Sequence, residues 1–141
     1  TSGLKTWRSM LPERAEHTLT AALQCISACR VLCDTRRSVK RYVSYYEPCL
    51  DTALAQALGL FFALMGDFAT CTYTDDAMPA LELGSEPETY RQAVATLEDF
   101  LALAEGEMRH SLATGVPSPD AMAIAQRALT YACLFDPELK A

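Results

Sequence analysis

The sequence contains very little histidine and none of the short motifs that mark common catalytic and cofactor sites. Its two histidines, His17 and His110, are the only imidazoles that could activate a cysteine or serine nucleophile. The nucleophile elbow G-x-S-x-G, the P-loop, G-x-G-x-x-G, H-E-x-x-H and EF-hand patterns are all missing. We therefore expect a protein that is not an enzyme and carries no cofactor.

Long apolar runs and a secretory signal are missing as well. The longest charge-free stretch covers residues 52–66, which is shorter than the roughly 20 apolar residues that a membrane-spanning helix needs. The opening residues, TSGLKTWRSMLPERAEH, contain no continuous apolar region followed by a small-residue cleavage site. We expect residues 52–66 to form a buried helix, in an intracellular, cytoplasmic protein without a membrane span.

Six cysteines are present, and three of them, Cys25, Cys29 and Cys33, are spaced four residues apart. On a helix this spacing stacks them along one face, whereas the disulfides of small secreted proteins join separate elements. We therefore expect reduced thiols that pack in the core, with no bound metal. Because thiolates one helical turn apart can bind Cu(I), or zinc with further ligands, a thiolate metal-binding bundle stays open as an alternative.

The net charge of −6 is unevenly distributed along the chain. Residues 1–47 contain eight basic and four acidic side chains, whereas residues 48–141 contain four basic and fourteen acidic ones. Such asymmetry indicates an acidic or nucleic-acid partner for the basic half, or pairing of the two halves within the fold or across a dimer. The sequence leaves these alternatives open.

Apolar residues recur at the helical period along most of the chain, and the composition is that of a globular domain. We predict one all-α domain over residues 1–141, a single compact bundle of about five helices with one irregular connection at 67–84. The predicted helices cover residues 12–33, 35–46, 48–65, 86–114 and 119–135. For residues 35–46 a strand stays open as an alternative, because the segment is rich in tyrosine and valine. Their ends rest on Pro12, Pro48, Gly66, a capping box of Ser85 and Glu88, Gly115, and Ser118 with Pro119.

A basic and aromatic segment is the first candidate for partner binding. Four basic residues at spacings i, i+1, i+4 and i+5 share one helical face, with three tyrosines nearby, and an acidic protein is poorly disposed to bulk nucleic-acid binding. The face can be solvated or paired within the chain, can contact a protein, or can bind nucleic acid, which we expect least. The candidate residues are Arg36, Arg37, Lys40, Arg41, Tyr42, Tyr45 and Tyr46.

The second candidate is the apolar stripe of the predicted helix 86–114. Its apolar residues alternate at spacings of four and three, as in a helix that pairs with a partner helix or a second copy, although a core-facing stripe has the same pattern. The candidate contacts are Leu97, Leu101 and Met108.

The segment SPDAMAIAQRALTYACLFDPEL, residues 118–139, resembles the C-terminal helix of the ligand-sensing domains of MerR-type transcription activators of the TipA class. It covers about one sixth of the chain and lacks the tryptophan expected near Ala128, and the first 80 residues show no match. The resemblance implies a small-molecule-sensing domain of a transcriptional regulator. The helices predicted at 48–65 and 86–114 would then enclose a small apolar ligand.

With strong core and capping signals but no catalytic set, the sequence favours a non-enzymatic helical module for protein–protein interaction or regulation. Its partner would be another protein or a second copy in a homodimer. The sensing domain and the thiolate bundle are the two alternatives.

Overall fold

Four α-helices and a short 3₁₀ turn make up most of the chain that the structure describes. A computed structural model describes residues 11–38, 43–71 and 83–140, and within α2 it describes the side chains of residues 49–69. The helices are α1 (Glu13–Ser38), α2 (Val43–Cys71), α3 (Tyr90–Thr114) and α4 (Ala121–Phe135), followed by the 3₁₀ turn Pro137–Lys140. The described residues include no β-strand, so the all-α prediction is confirmed, with four helices where about five were expected.

The two helices predicted at 35–46 and 48–65 do not exist as separate elements. α1 continues to Ser38, and α2 begins at Val43, ahead of Pro48, and continues past Gly66 to Cys71. Gly66 does not end α2 because the next turn packs against the rest of the bundle. Phe68 is fully buried, and the Asp67 carboxylate forms an ion pair with Arg14 of α1. Tertiary packing therefore outweighs the weak helix propensity of one glycine.

The start of α3 also differs from its prediction, because Ser85 and Glu88 do not form the cap. Thr89 is the N-cap, and its hydroxyl oxygen accepts the N–H of Gln92 at 3.2 Å. The Gln92 side chain in turn accepts the N–H of Glu88 at 2.7 Å, as in a shifted capping box. Residues 67–71 therefore belong to α2, residues 83–89 precede α3 without regular structure, and the rest of the predicted connection lies outside the described residues.

The other predicted ends of α3 and α4 are closer to the structure. Gly115 ends α3 in the left-handed conformation, at φ 73°, and donates its N–H to the Ser111 carbonyl at 2.8 Å. α4 starts at Ala121, two residues after the predicted start. Ser118 lies in the preceding turn, where its hydroxyl donates to Glu107 at 3.1 Å.

Neighbouring helices in the bundle run antiparallel. Arg14 near the start of α1 pairs with Asp67 near the end of α2 at 2.8 Å. Thr96 early in α3 and Tyr131 late in α4 share a hydrogen bond of 2.6 Å between their hydroxyls. α2 and α3 each pack against α1 and α4 but lie diagonally across the bundle from each other. The ligand pocket expected between the helices at 48–65 and 86–114 stays a prediction.

All four helices contribute to one apolar core, in which the cysteines of α1 take part. Cys25, Cys29 and Cys33 are all buried, Cys29 completely. The core also contains Leu19, Ile26, Leu58, Phe61, Leu97, Leu101, Met108, Ile124 and Tyr131.

Replacement of a core leucine in α3 should be far more costly than replacement of an outer residue of the same helix. Leu101 is 0% exposed and Val94 is 40% exposed. Leu101→Ala should lower the free energy of unfolding by about 2–5 kcal/mol, because it leaves a cavity in the core. Val94→Ala should change it by no more than about 0.5 kcal/mol. Urea unfolding of both variants tests this, and equal losses would contradict the assignment of Leu101 to the core.

Candidate interaction surfaces

The predicted contacts on α3 are inside the bundle. Leu97, Leu101 and Met108 are 2%, 0% and 0% exposed, so in this fold they are not accessible to a partner. Their spacing reflects core packing, which has the same periodicity as a helix-pairing stripe. A partner surface on α3 would have to use its outer residues, of which Tyr90 and Val94 are apolar and partly exposed.

The structure describes two of the seven predicted contacts in the basic and aromatic segment. Lys40, Arg41 and Tyr42 lie outside the described residues, and the same is true of the side chains of Tyr45 and Tyr46. Arg36 and Arg37 lie in the last turn of α1. Their surroundings show whether these two side chains already have partners within the chain.

Arg36 is held inside the chain by residues from the three other helices. Its side chain is 15% exposed and lies 3.3 Å from the Asp51 carboxylate of α2, which is 13% exposed. It also donates a hydrogen bond to the Tyr90 hydroxyl of α3, which donates to Asp51 at 2.8 Å. The guanidinium carbon lies 5.2 Å and 5.9 Å from the ring centroids of Tyr90 and of Phe135 in α4, within the range of cation–π attraction. We call these four residues the Arg36 cluster.

The other described arginines of α1 also pair within the chain. Arg37 binds Asp34 of its own helix and Glu98 of α3. Arg30 binds Glu105 of α3 at 2.8 Å. Together with Arg14–Asp67 and the Arg36 cluster, these pairs join the basic half of the sequence to the acidic half. Intramolecular pairing, one of the predicted alternatives, therefore explains the charge asymmetry over the described residues.

Burial in the core makes the α1 cysteines poor nucleophiles. Desolvation raises the pKa of Cys25, raises the pKa of Cys29 to about 12, and, with repulsion from Glu98, raises that of Cys33 to about 11. At neutral pH these groups are therefore protonated thiols, whereas the thiolate is the form that attacks and binds metals. Among the described side chains, no three of His, Cys, Asp or Glu converge as a metal site requires.

The outer side of α2 is uncharged, and an exposed leucine lies at its centre. Cys49–Ala69 is long and apolar enough to cross a membrane, a property shared with core helices of soluble bundles, and 28% of it is buried. Its two ends are tied to α1 through Asp51 and Asp67. The residues that point outward carry no charge, and Leu60 among them is 56% exposed. We call this surface the α2 face; it comprises Thr52, Gln56, Gly59, Leu60, Ala63 and Gly66.

A groove of about 650 Å³ lies between α4, the residues that precede α3, and the C-terminal 3₁₀ turn. Arg127 holds one wall in place, because its guanidinium donates to the carbonyls of Leu83 and Gly84 at 3.0 and 3.2 Å. The Thr130 hydroxyl donates to Glu86 at 2.7 Å and secures the same wall. We call this surface the α4 groove; it is lined by Glu86, Pro87, Glu88, Leu129, Thr130, Cys133, Leu134 and Leu139.

Neither surface was among the sequence predictions. The signal for the α2 face was present, because residues 52–66 are uncharged and two glycines, Gly59 and Gly66, are spaced seven residues apart on one helical face. The α4 groove had no such signal, since its walls are about 40 residues apart in the sequence.

Site-resolved alkylation of the native protein should divide the thiols by burial. Cys49 is exposed and Cys133 is partly buried, so iodoacetamide should label Cys49 fast and Cys133 more slowly near pH 8. Cys25, Cys29 and Cys33 should react only after unfolding, because they are buried and their pKa values are raised. Peptide mass spectrometry gives the label at each position, and rapid native labelling of Cys29 would contradict the described core.

Two matched Asp→Asn substitutions should separate the buried cluster from an exposed pair. Asp51→Asn removes the countercharge of the mostly buried Arg36 and should lower the free energy of unfolding by about 1–3 kcal/mol. Asp34→Asn removes a partner of Arg37, but both side chains are at least 60% exposed, so the change should stay below about 1 kcal/mol. Thermal and urea unfolding measure both variants; a harmless Asp51→Asn would mean that the cluster does not stabilise the bundle.

Comparison with known proteins yields no relative: no family model, no curated protein and no solved structure matches the chain. The resemblance of residues 118–139 to the TipA class has no support from a family model, and Ser118 precedes α4 without capping its first turn.

Proposed function

We propose that this chain is a non-enzymatic helical interaction module that self-associates through the α2 face. One observation carries the proposal: the long apolar helix of the bundle turns an uncharged surface, with Leu60 56% exposed at its centre, away from its own chain. Contiguous exposed apolar surface rimmed by polar residues is typical of protein contact sites.

The glycines of the α2 face support a close contact between helices. A Cβ atom built at Gly59 or at Gly66 would meet no atom within 4 Å, so packing around the described residues does not require glycine there. Glycine inside a helix costs roughly 0.5–1 kcal/mol relative to alanine. A second helix that approaches closely would use this space and offset the cost.

The charge distribution favours a second copy as the occupant. Each copy carries a net charge of −6, so two copies repel each other at most orientations. Residues 52–66 contain no charged side chain, so the α2 face lets two copies meet with little like-charge contact. Arg36 and Arg37, the described basic residues of the alternative contact, are already paired within the chain.

A small-molecule-sensing domain is the second candidate. The volume of the α4 groove, about 650 Å³, falls within the range of small-ligand sites. The groove is open on one side, whereas such sites bury most of the ligand surface, and we therefore place this function second.

The proposed dimer should depend on Leu60 and not on an equally exposed valine elsewhere. Wild-type protein should show a concentration-dependent dimer in sedimentation equilibrium from about 1 µM to about 500 µM. Leu60→Glu puts two buried charges into the interface and should give a monomer whose helical content is unchanged. Val31→Glu is the control, since Val31 is 62% exposed on α1 and should leave the dimer intact.

A wild-type chain that is monomeric throughout this range would contradict self-association. A dimer that survives Leu60→Glu but is lost in Val31→Glu would move the interface to α1. A chain that stays in solution only with detergent would instead favour contact of the α2 face with lipid.

A further inference from the structure

We infer that the α4 groove docks a short amphipathic and basic helical segment of a different protein. This inference rests on the proposed role as an interaction module but uses a second surface, on the side chains of α4 and the residues before α3. An experiment can therefore refute this inference without refuting self-association through the α2 face.

The floor of the groove is apolar and accessible. Leu129 is 37% exposed and Leu139 is 50% exposed, and both are large apolar side chains that a monomer usually covers. Leu134 and Cys133 are partly buried beside them, and Pro87 is buried in the wall. A volume of about 650 Å³ accommodates several side chains, as when the apolar face of a helix lies in a groove.

The charged side chains that line the groove are both acidic. Glu86 and Glu88 line it, both are exposed, and no basic side chain is among its lining residues. Glu138, beside Leu139 in the 3₁₀ turn, adds a third exposed carboxylate nearby. A lysine or arginine on the flank of a bound helix would meet these carboxylates, whereas a second copy of this acidic chain would be repelled.

The groove is organised before anything binds. Arg127 fixes the backbone of residues 83–85, and the Thr130–Glu86 hydrogen bond positions the first rim carboxylate. Ordering a loop on binding lowers affinity, so a preformed wall favours a docking role over an accidental surface depression.

Fluorescence anisotropy with model peptides tests the inference on the full chain. The probe is a fluorescein-labelled peptide of about 18 residues, with leucines at spacings of three and four and lysines elsewhere. One control peptide has glutamate at each lysine, and the other has the same composition with the leucine spacing broken. The lysine peptide should bind at least about tenfold more tightly than either control.

Variants of the groove test whether the peptide binds there. Leu129→Glu should lower the affinity for the lysine peptide by about tenfold or more, although the added negative charge would strengthen non-specific attraction of the peptide. Glu88→Lys should lower the affinity for the lysine peptide by about two- to fivefold. The ratio of the affinities for the lysine and glutamate peptides should fall as well. Glu16→Lys, an equally large charge change at an exposed position of α1, is the control and should have a smaller effect.

The outcomes separate this inference from the proposed self-association. Leu60→Glu should leave peptide binding unchanged, so loss of the dimer alone affects only the proposed function. Equal affinity for the three peptides, or no effect of Leu129→Glu, would overturn the docking role. Saturable binding of a small apolar dye that Leu129→Glu abolishes, without peptide binding, would overturn it in favour of a small-ligand site.

Discussion

The arrangement of the four helices depends on how Arg36 is neutralised. An arginine that is 15% exposed needs a countercharge and hydrogen-bond acceptors, because a charge left unpaired in a protein interior is strongly destabilising. Its partners Asp51, Tyr90 and Phe135 belong to α2, α3 and α4. The last turn of α1 therefore lies beside the N-terminal part of α2, the first turn of α3 and the last turn of α4, in keeping with the antiparallel order of neighbouring helices.

This internal use of charge determines which surfaces are left for partners. The described arginines of α1 pair across the bundle with carboxylates, so the basic half of the chain offers a partner fewer unpaired cations than its composition indicates. The two exposed surfaces differ in kind: the α2 face is uncharged, and the α4 groove is apolar with an acidic rim. The α2 face therefore suits a second copy of the chain, and the α4 groove suits a basic segment of another protein.

Local patterns predicted the helices well where a single residue type dictates the backbone. Gly115 could be placed because a left-handed residue at a helix end favours glycine, and the periodic core positions of α3 follow from the helical repeat. The helix ends predicted at Gly66 and Ser85 are wrong because tertiary contacts outweigh local propensity. Phe68 packs in the core beyond Gly66, and Arg127 hydrogen-bonds the backbone of residues 83–85. Leu101 could not be assigned to a core or an interface, since both give the same spacing.

The salt dependence of self-association tests the central claim most directly. The claim is that ion pairs form within each chain, whereas two copies meet at an uncharged face. Raising NaCl from about 0.1 M to about 1 M shortens the screening length from about 10 Å to about 3 Å. If two copies meet at the α2 face, screening reduces only the repulsion between their net charges, and the dimer dissociation constant should stay constant or fall. A dissociation constant that rises tenfold or more with salt would mean that ion pairs form the interface, and would contradict the account.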